Sequence, residues 1–204
     1  MERMDPRYLS PTFFIDCDEP AVAGKSRELS LPVEEVREKA IRVFYFVRDG
    51  IAYNAFSPRT DADYRASRTL SRMEGYCVQK AVLLVALARG AGIPARLRFA
   101  DIRGHLTPAE FIEKRGSNLF SYHGLADLYI EGRWVKATPT YDKEYCRKAG
   151  IEPVEFDGSG DAMLPAYALD GRRNVEYVMD RGFFDDLPLE DIRKASASWK
   201  YMAP

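Results

Sequence analysis

Glu74-Gly-Tyr-Cys77-Val-Gln-Lys80-Ala-Val-Leu-Leu-Val-Ala-Leu-Ala88-Arg-Gly90 contains the longest apolar run of the chain, Ala81 to Ala88. A helix that is apolar all round is buried on every side, so this stretch predicts the central helix of the fold. It begins close to Cys77, and Gly90 falls where a left-handed C-terminal cap is expected. After Gly92 and Pro94, the run Ala95 to Ala100 alternates at period two, the pattern of a half-buried strand. Further on, His123 to Ile130 and Arg133 to Ala137 flank the pair Glu131-Gly132, which predicts two strands and a tight turn.

Outward toward the N-terminus, Ser30 and Pro32 give a helix-start signal. Val33, Val36, Ala40, Val43, Phe44 and Val47 then recur at helical spacing up to Gly50. The first thirty residues read as irregular, 57–64 as a loop, and 71–76 as the approach to the central helix. Beyond Pro139 the pattern weakens, with turns at 157–161 and 170–172. A last helix from about 186–188 carries Leu189, Ile192, Ala195 and Trp199 on one face. Helices followed by an antiparallel sheet give an α+β fold, read as a single domain over 1–204 because no repeat or linker divides it.

With 30 basic and 31 acidic residues, no excess of positive charge is available to neutralise phosphates, so nucleic acid is not an expected partner. No apolar run approaches the roughly 20 residues of a membrane span. No secretory leader is visible before Asp16, which makes the cytoplasm the expected location. Cys17, Cys77 and Cys146 are too few and scattered for a disulfide framework and are expected as thiols. They and the two histidines show no metal-ligand spacing, and no phosphate-binding glycine motif follows a strand; neither metal nor nucleotide cofactor is expected.

A thiol at a helix N-terminus meets unpaired N–H groups and a partial positive charge, which favour thiolate and can also receive an oxyanion. Its natural base is histidine, and His123, heading a strand, is the better of the two candidates. His105 lies in a Gly- and Pro-flanked connection and reads as a loop residue. Lys80, one turn after Cys77, is either an electrostatic aid to the thiolate or a solvated side chain. The bland alternative is a buried cysteine beside a structural histidine.

Several short motifs in order sharpen the choice. Phe46 to Tyr53, then Glu74-Gly-Tyr-Cys77, the apolar helix, Arg89-Gly-Ala-Gly-Ile-Pro-Ala-Arg96, His123 opening a strand, and Trp134 before Thr138-Pro-Thr140 closely resemble the transglutaminase-like core over about residues 34–142. The resemblance implies a papain-like arrangement in which Cys77 on the central helix packs against the sheet and His123 acts as its base. The family's third member, usually Asp, falls on Thr138, which can accept a hydrogen bond but cannot offset an imidazolium charge. Asp127 and Asp142 are the alternatives for that role.

On this reading Cys77 attacks a peptide, protein or small amide carbonyl to give a thioester, resolved by water (protease or amidase) or by an amine (transglutaminase). The alternative is a catalytically silent module that binds a peptide or protein. Tyr76 and Trp134 are candidates to line the cleft, and the extension 143–204 is a candidate to cover it.

Overall fold

The computed structural model describes residues 5–31 and 33–196. In chain order its elements are α1 (Pro20–Ser30), α2 (Val36–Tyr45), β1 (Ala52–Tyr53), α3 (Ala66–Arg72), β2 (Glu74–Gly75), α4 (Cys77–Gly90), β3 (Ala95–Gly104), α5 (Ala109–Arg115), β4 (Leu119–Ile130), β5 (Arg133–Ala137), α6 (Lys143–Ala149), β6 (Val175–Phe184) and α7 (Leu189–Ser196). A π-helical turn, Phe46–Gly50, prolongs α2 to the glycine where the sequence pattern stops.

Every residue of α4 from Val78 to Arg89 is buried, as its unbroken apolar composition requires. Its first turn is pinned by Gln79. The Gln79 side-chain oxygen accepts the Tyr76 N–H at 3.2 Å, and its amide donates to the carbonyls of Pro58 at 2.8 Å and Asp63 at 3.0 Å. Lys80 is not the solvated side chain that spacing allowed. Fully buried, its ammonium donates to the carbonyls of Arg48 at 3.0 Å and Ile51 at 2.5 Å, tying α4 to the end of the π-helical turn.

Two local expectations are corrected at the other end. The left-handed residue is Gly92, with φ of 78°, whereas Gly90 is still helical and is needed for a different reason. A Cβ there would lie 2.4 Å from Ser26 Oγ, so Gly90 lets α1 cross α4 closely. That helix, α1, is absent from the sequence reading, which took residues 20–30 as irregular and Ser30 as a helix start. Ser30 ends α1 instead.

The main sheet has the order β5-β4-β3-β6, with every pair antiparallel. Leu97 opposes Ala126, which opposes Ala137; Ala95 opposes Leu128, which opposes Val135. These residues are all buried and occupy alternate positions, the period-two signature of one covered face. Gly124 belongs to the same row and lies against α4, where an added Cβ would stand 2.9 Å from Val78 Cα and 3.1 Å from the Cys77 carbonyl oxygen. The β4–β5 turn is the anticipated Glu131-Gly132 pair, with φ of 49° and 87°, the backbone of a two-residue hairpin.

The fourth strand, β6, comes from the extension after residue 142 and pairs with β3 from Leu97↔Phe184 to Gly104↔Val175. No alternation announced it, because most of its residues are exposed or only half-buried. In the last helix, Leu189 and Ile192 are buried as expected, while Trp199 lies outside the described residues.

Candidate active site

Cys77 opens α4, where the backbone N–H groups of Gly124 and Val78 favour its thiolate and Gly124 lies against the Cys77 carbonyl. Consecutive Cα atoms are about 3.8 Å apart, so the Gly124 contact brings the neighbouring residue, His123, to the start of the helix. Cys77 and His123 both line one cavity of about 660 Å³. The approach to His123 is irregular. β3 and β4 lose register between Ala100 and Ile102, Tyr122 adopts a left-handed φ of 56°, and the buried Asp101 carboxylate accepts the Tyr122 N–H at 3.1 Å. Bulges of this kind re-aim side chains near functional sites. Arg181 holds Asp101 in place through two hydrogen bonds at 2.5 and 2.7 Å.

Burial sets the protonation of the pair. It pushes the Cys77 thiol above its ordinary value, against the opposing pull of the Gly124 N–H and the charge of Arg59. It also holds His123 down to about 4. At neutral pH the pair is therefore a thiol beside a neutral imidazole. The helix N-terminus favours a thiolate, and burial of both partners acts against it.

The third position departs from a Cys-His-Asp arrangement in geometry as well as in composition. Thr138 is fully buried, and its hydroxyl faces Met163 Sδ at 4.0 Å and the Tyr177 phenol. His123 Nε2 is buried and has no hydrogen-bond partner among the described residues, so Thr138 does not accept from it. Tyr177 stands edge-on to the imidazole, with ring centroids 6.3 Å apart, and its hydroxyl accepts the Leu164 N–H at 3.3 Å.

Neither aspartate compensates. Asp127 shares the His123 face by alternation but sits four residues along the strand, roughly 13 Å away. Its carboxylate takes Arg96 at 3.0 Å and Arg98 at 3.1 Å. Asp142 caps α6 by accepting the Tyr145 N–H at 2.8 Å and also accepts the Tyr53 N–H at 2.7 Å.

Tyr76 lines the cavity, whereas Trp134 packs against Tyr8, Tyr129 and the Arg96 guanidinium. His105 sits at the end of β3 and meets Glu176 at 3.1 Å, remote in role from the thiol. Cys17 and Cys146 are buried thiols. Sequence reasoning missed Arg59, Arg115 and Tyr177, which reach the site from a loop, a short helix and β6. No spacing relates them to Cys77. The extension also contributes lining, including Tyr145, Ile151 and Asn174. No group of three or more His, Cys, Asp or Glu able to hold a metal occurs among the described residues. No helix among them is long and apolar enough to cross a membrane.

Comparison with known proteins gives the family and the fold. The sequence profile of the transglutaminase-like superfamily matches residues 24–139, more than half of the chain. No curated protein matches. Among solved structures, a proposed cysteine protease from Cytophaga hutchinsonii is similar, with a TM-score of 0.52 and 22% identity over 65% of this chain and 40% of that one. The periplasmic domain of TgpA from Pseudomonas aeruginosa gives a TM-score of 0.48 and 22% identity over 67% of this chain and 48% of its own. A proposed protease from Parabacteroides distasonis gives 0.40 and 15% over 62% and 26%. The chain thus spans less than half the length of each, and the likeness concerns the fold.

Proposed function

We propose, since this chain belongs to the transglutaminase-like superfamily, that it is a cysteine-dependent acyl-transfer enzyme with Cys77 as nucleophile and His123 as base. The observation that carries the reading is the placement of a thiol on the first residue of a buried helix, in one cavity with a neutral imidazole. His123 takes the thiol proton as the sulfur–carbon bond forms at an amide carbonyl. Charge developing on the carbonyl oxygen is stabilised by N–H groups at the start of α4. The imidazolium then returns its proton to the leaving amine, giving a thioester and a free amine. Water next attacks the thioester and releases a carboxylic acid, regenerating the thiol. Hydrolysis is the preferred second step because water is always present, whereas an amine acceptor needs a site of its own.

Thr138 enters this scheme through Tyr177: the threonine fixes the phenol, and the phenol's ring fixes the imidazole edge. The test is intact-mass detection of an acyl adduct on Cys77 after exposure to a panel of p-nitrophenyl esters and aryl amides. An adduct that turns over and disappears in Cys77→Ala supports the reading; acylation elsewhere, or none, contradicts it. A silent binding cleft is the second reading, favoured by His123 Nε2, which has no hydrogen-bond partner among the described residues. It predicts saturable peptide binding with no adduct.

A further inference from the structure

The cavity that holds Cys77 is lined largely by rings. Tyr53 reaches it from β1, Phe56 from the loop that follows, Phe111 from α5, Phe120 from β4, and Tyr141 and Tyr145 from around the start of α6. The tyrosines form one cluster: Tyr141 and Tyr145 stack with centroids 4.4 Å apart at 12°, and Tyr53 stands edge-on to both at 4.8 Å. The phenylalanines form another, with Phe111 nearly parallel to Phe120 at 6.4 Å and Phe56 edge-on to Phe111 at the same separation. The three tyrosines are only half-buried, so ring surface remains open. Phe56, 81% exposed, carries the aromatic lining out to the surface.

The tyrosine cluster is built next to the thiol. Pairing of β1 with β2 sets Tyr53 opposite Gly75, just before the Cys77 helix. One carboxylate aligns the cluster: Asp142 accepts the Tyr53 N–H at 2.7 Å and the Tyr145 N–H at 2.8 Å. Burial raises the phenols of Tyr53 and Tyr141 above their ordinary range, and negative charge on Cys77 raises both further, which requires the sulfur to be near. These rings are therefore neutral at neutral pH. The cavity of about 660 Å³ leaves room for one more ring and the carbonyl attached to it.

We propose that this site selects acyl groups carrying an aromatic ring, such as an arylacetyl group or the acyl part of an aromatic amino acid, with the ring seated against Tyr53, Tyr141 and Tyr145 and the carbonyl at Cys77. The proposal rests on the acyl-transfer reading of Cys77 and names its substrate class. Rings pair with rings in edge-on and offset-stacked geometry, and each such contact adds about two- to tenfold in affinity to what burial of the same area supplies. A saturated ring of the same size fills the space without that gain.

The test is the first-turnover rate of thioester formation at Cys77 from trifluoroethyl phenylacetate and from trifluoroethyl cyclohexylacetate, read by peptide mass spectrometry, with trifluoroethyl acetate as the ring-free control. In each case a sulfur–carbon bond forms and trifluoroethanol leaves with the thiol proton. The leaving group carries no ring, and the two larger esters differ in the aromaticity of the acyl group. Dividing their rate ratio by the same ratio for N-acetylcysteine removes intrinsic ester reactivity. The expected quotient is roughly tenfold in favour of phenylacetate, the order of two ring contacts.

Tyr53→Leu and Tyr145→Leu should each lower the quotient by about threefold, and Tyr145→Phe should keep it. Tyr145 is half-buried on a short helix, so its variants carry the test even if Tyr53→Leu fails to fold. A wild-type quotient equal to that of the free thiol, or a preference that the leucine variants leave unchanged, overturns the aromatic proposal while leaving Cys77 a nucleophile. Absence of an adduct on Cys77 from all three esters overturns both.

Discussion

At the scale of single residues the site turns on what burial does to two groups. His123 is 3% exposed and has no hydrogen-bond partner on Nε2 among the described residues, so burial disfavours its charged form and holds it down to about 4. In the unfolded chain it should titrate near 6.5. Between those values the unfolded state binds more protons, so stability is fully present above about 6.5 and falls as pH drops through 4. The shift is worth about 3 kcal/mol at its limit. Chemical denaturation of wild type and His123→Gln from pH 7 to 4 should show the wild type losing the larger share, and parallel curves would contradict the assignment. A carboxylate behind the ring should reverse the effect. Thr138→Asp is expected to raise the His123 pKa above 4, followed by NMR titration of the ring, and to speed acylation of Cys77 by about tenfold or more. An unmoved titration would show that residue 138 does not reach the imidazole.

At the scale of elements, α4 and β4 position the pair, and Gly124 is where they touch. Gly124→Ala puts a Cβ 2.9 Å from Val78 Cα and 3.1 Å from the Cys77 carbonyl oxygen, so the start of α4 must move. The expected cost is about 2 kcal/mol in denaturant unfolding, with acylation of Cys77 slowed about tenfold because the Gly124 N–H no longer favours the thiolate. Lys80 makes the opposite prediction. Lys80→Met removes the donor to two buried carbonyls and should cost about 2 to 4 kcal/mol while leaving Cys77 alkylation rates unchanged, since the ammonium serves α4 packing.

These elements were also the legible part of the sequence. The apolar run of α4 and the alternation of β4 and β5 are strong periodic signals, and they located Cys77 and His123. The helix α1 was hidden because only Val22 and Ser26 among its residues are buried, which leaves no apolar stripe to read. The strand β6 was hidden by its exposure, and Lys80 by its type: a lysine drawn to backbone carbonyls inside a core leaves no pattern in its neighbours.

At the scale of the whole molecule, the segment after residue 142 is part of the sheet. β6 covers the edge of β3 along its length, and Tyr145, Ile151, Asn174, Val175 and Ile192 close the cavity that holds the thiol. A chain ending at 142 would expose that edge and open the cavity, so it is expected to lose cooperative thermal unfolding by circular dichroism. Retention of a sharp transition would mean the core stands without its fourth strand. The cavity gathers residues from β1, α4, α5, β4 and the 143–196 segment, which explains why Arg59 and Arg115 could be found only in three dimensions.

The decisive measurement is the single-turnover rate of Cys77 acylation by p-nitrophenyl acetate across pH 3 to 9, in wild type and His123→Ala. A neutral pair with His123 as base predicts an acid limb near 4 in the wild type and a plateau through neutral pH. In His123→Ala that limb should vanish and the rate should fall by about 10² or more, the usual worth of a positioned base. Equal rates and superimposable profiles in the two proteins would show that His123 takes no proton from Cys77.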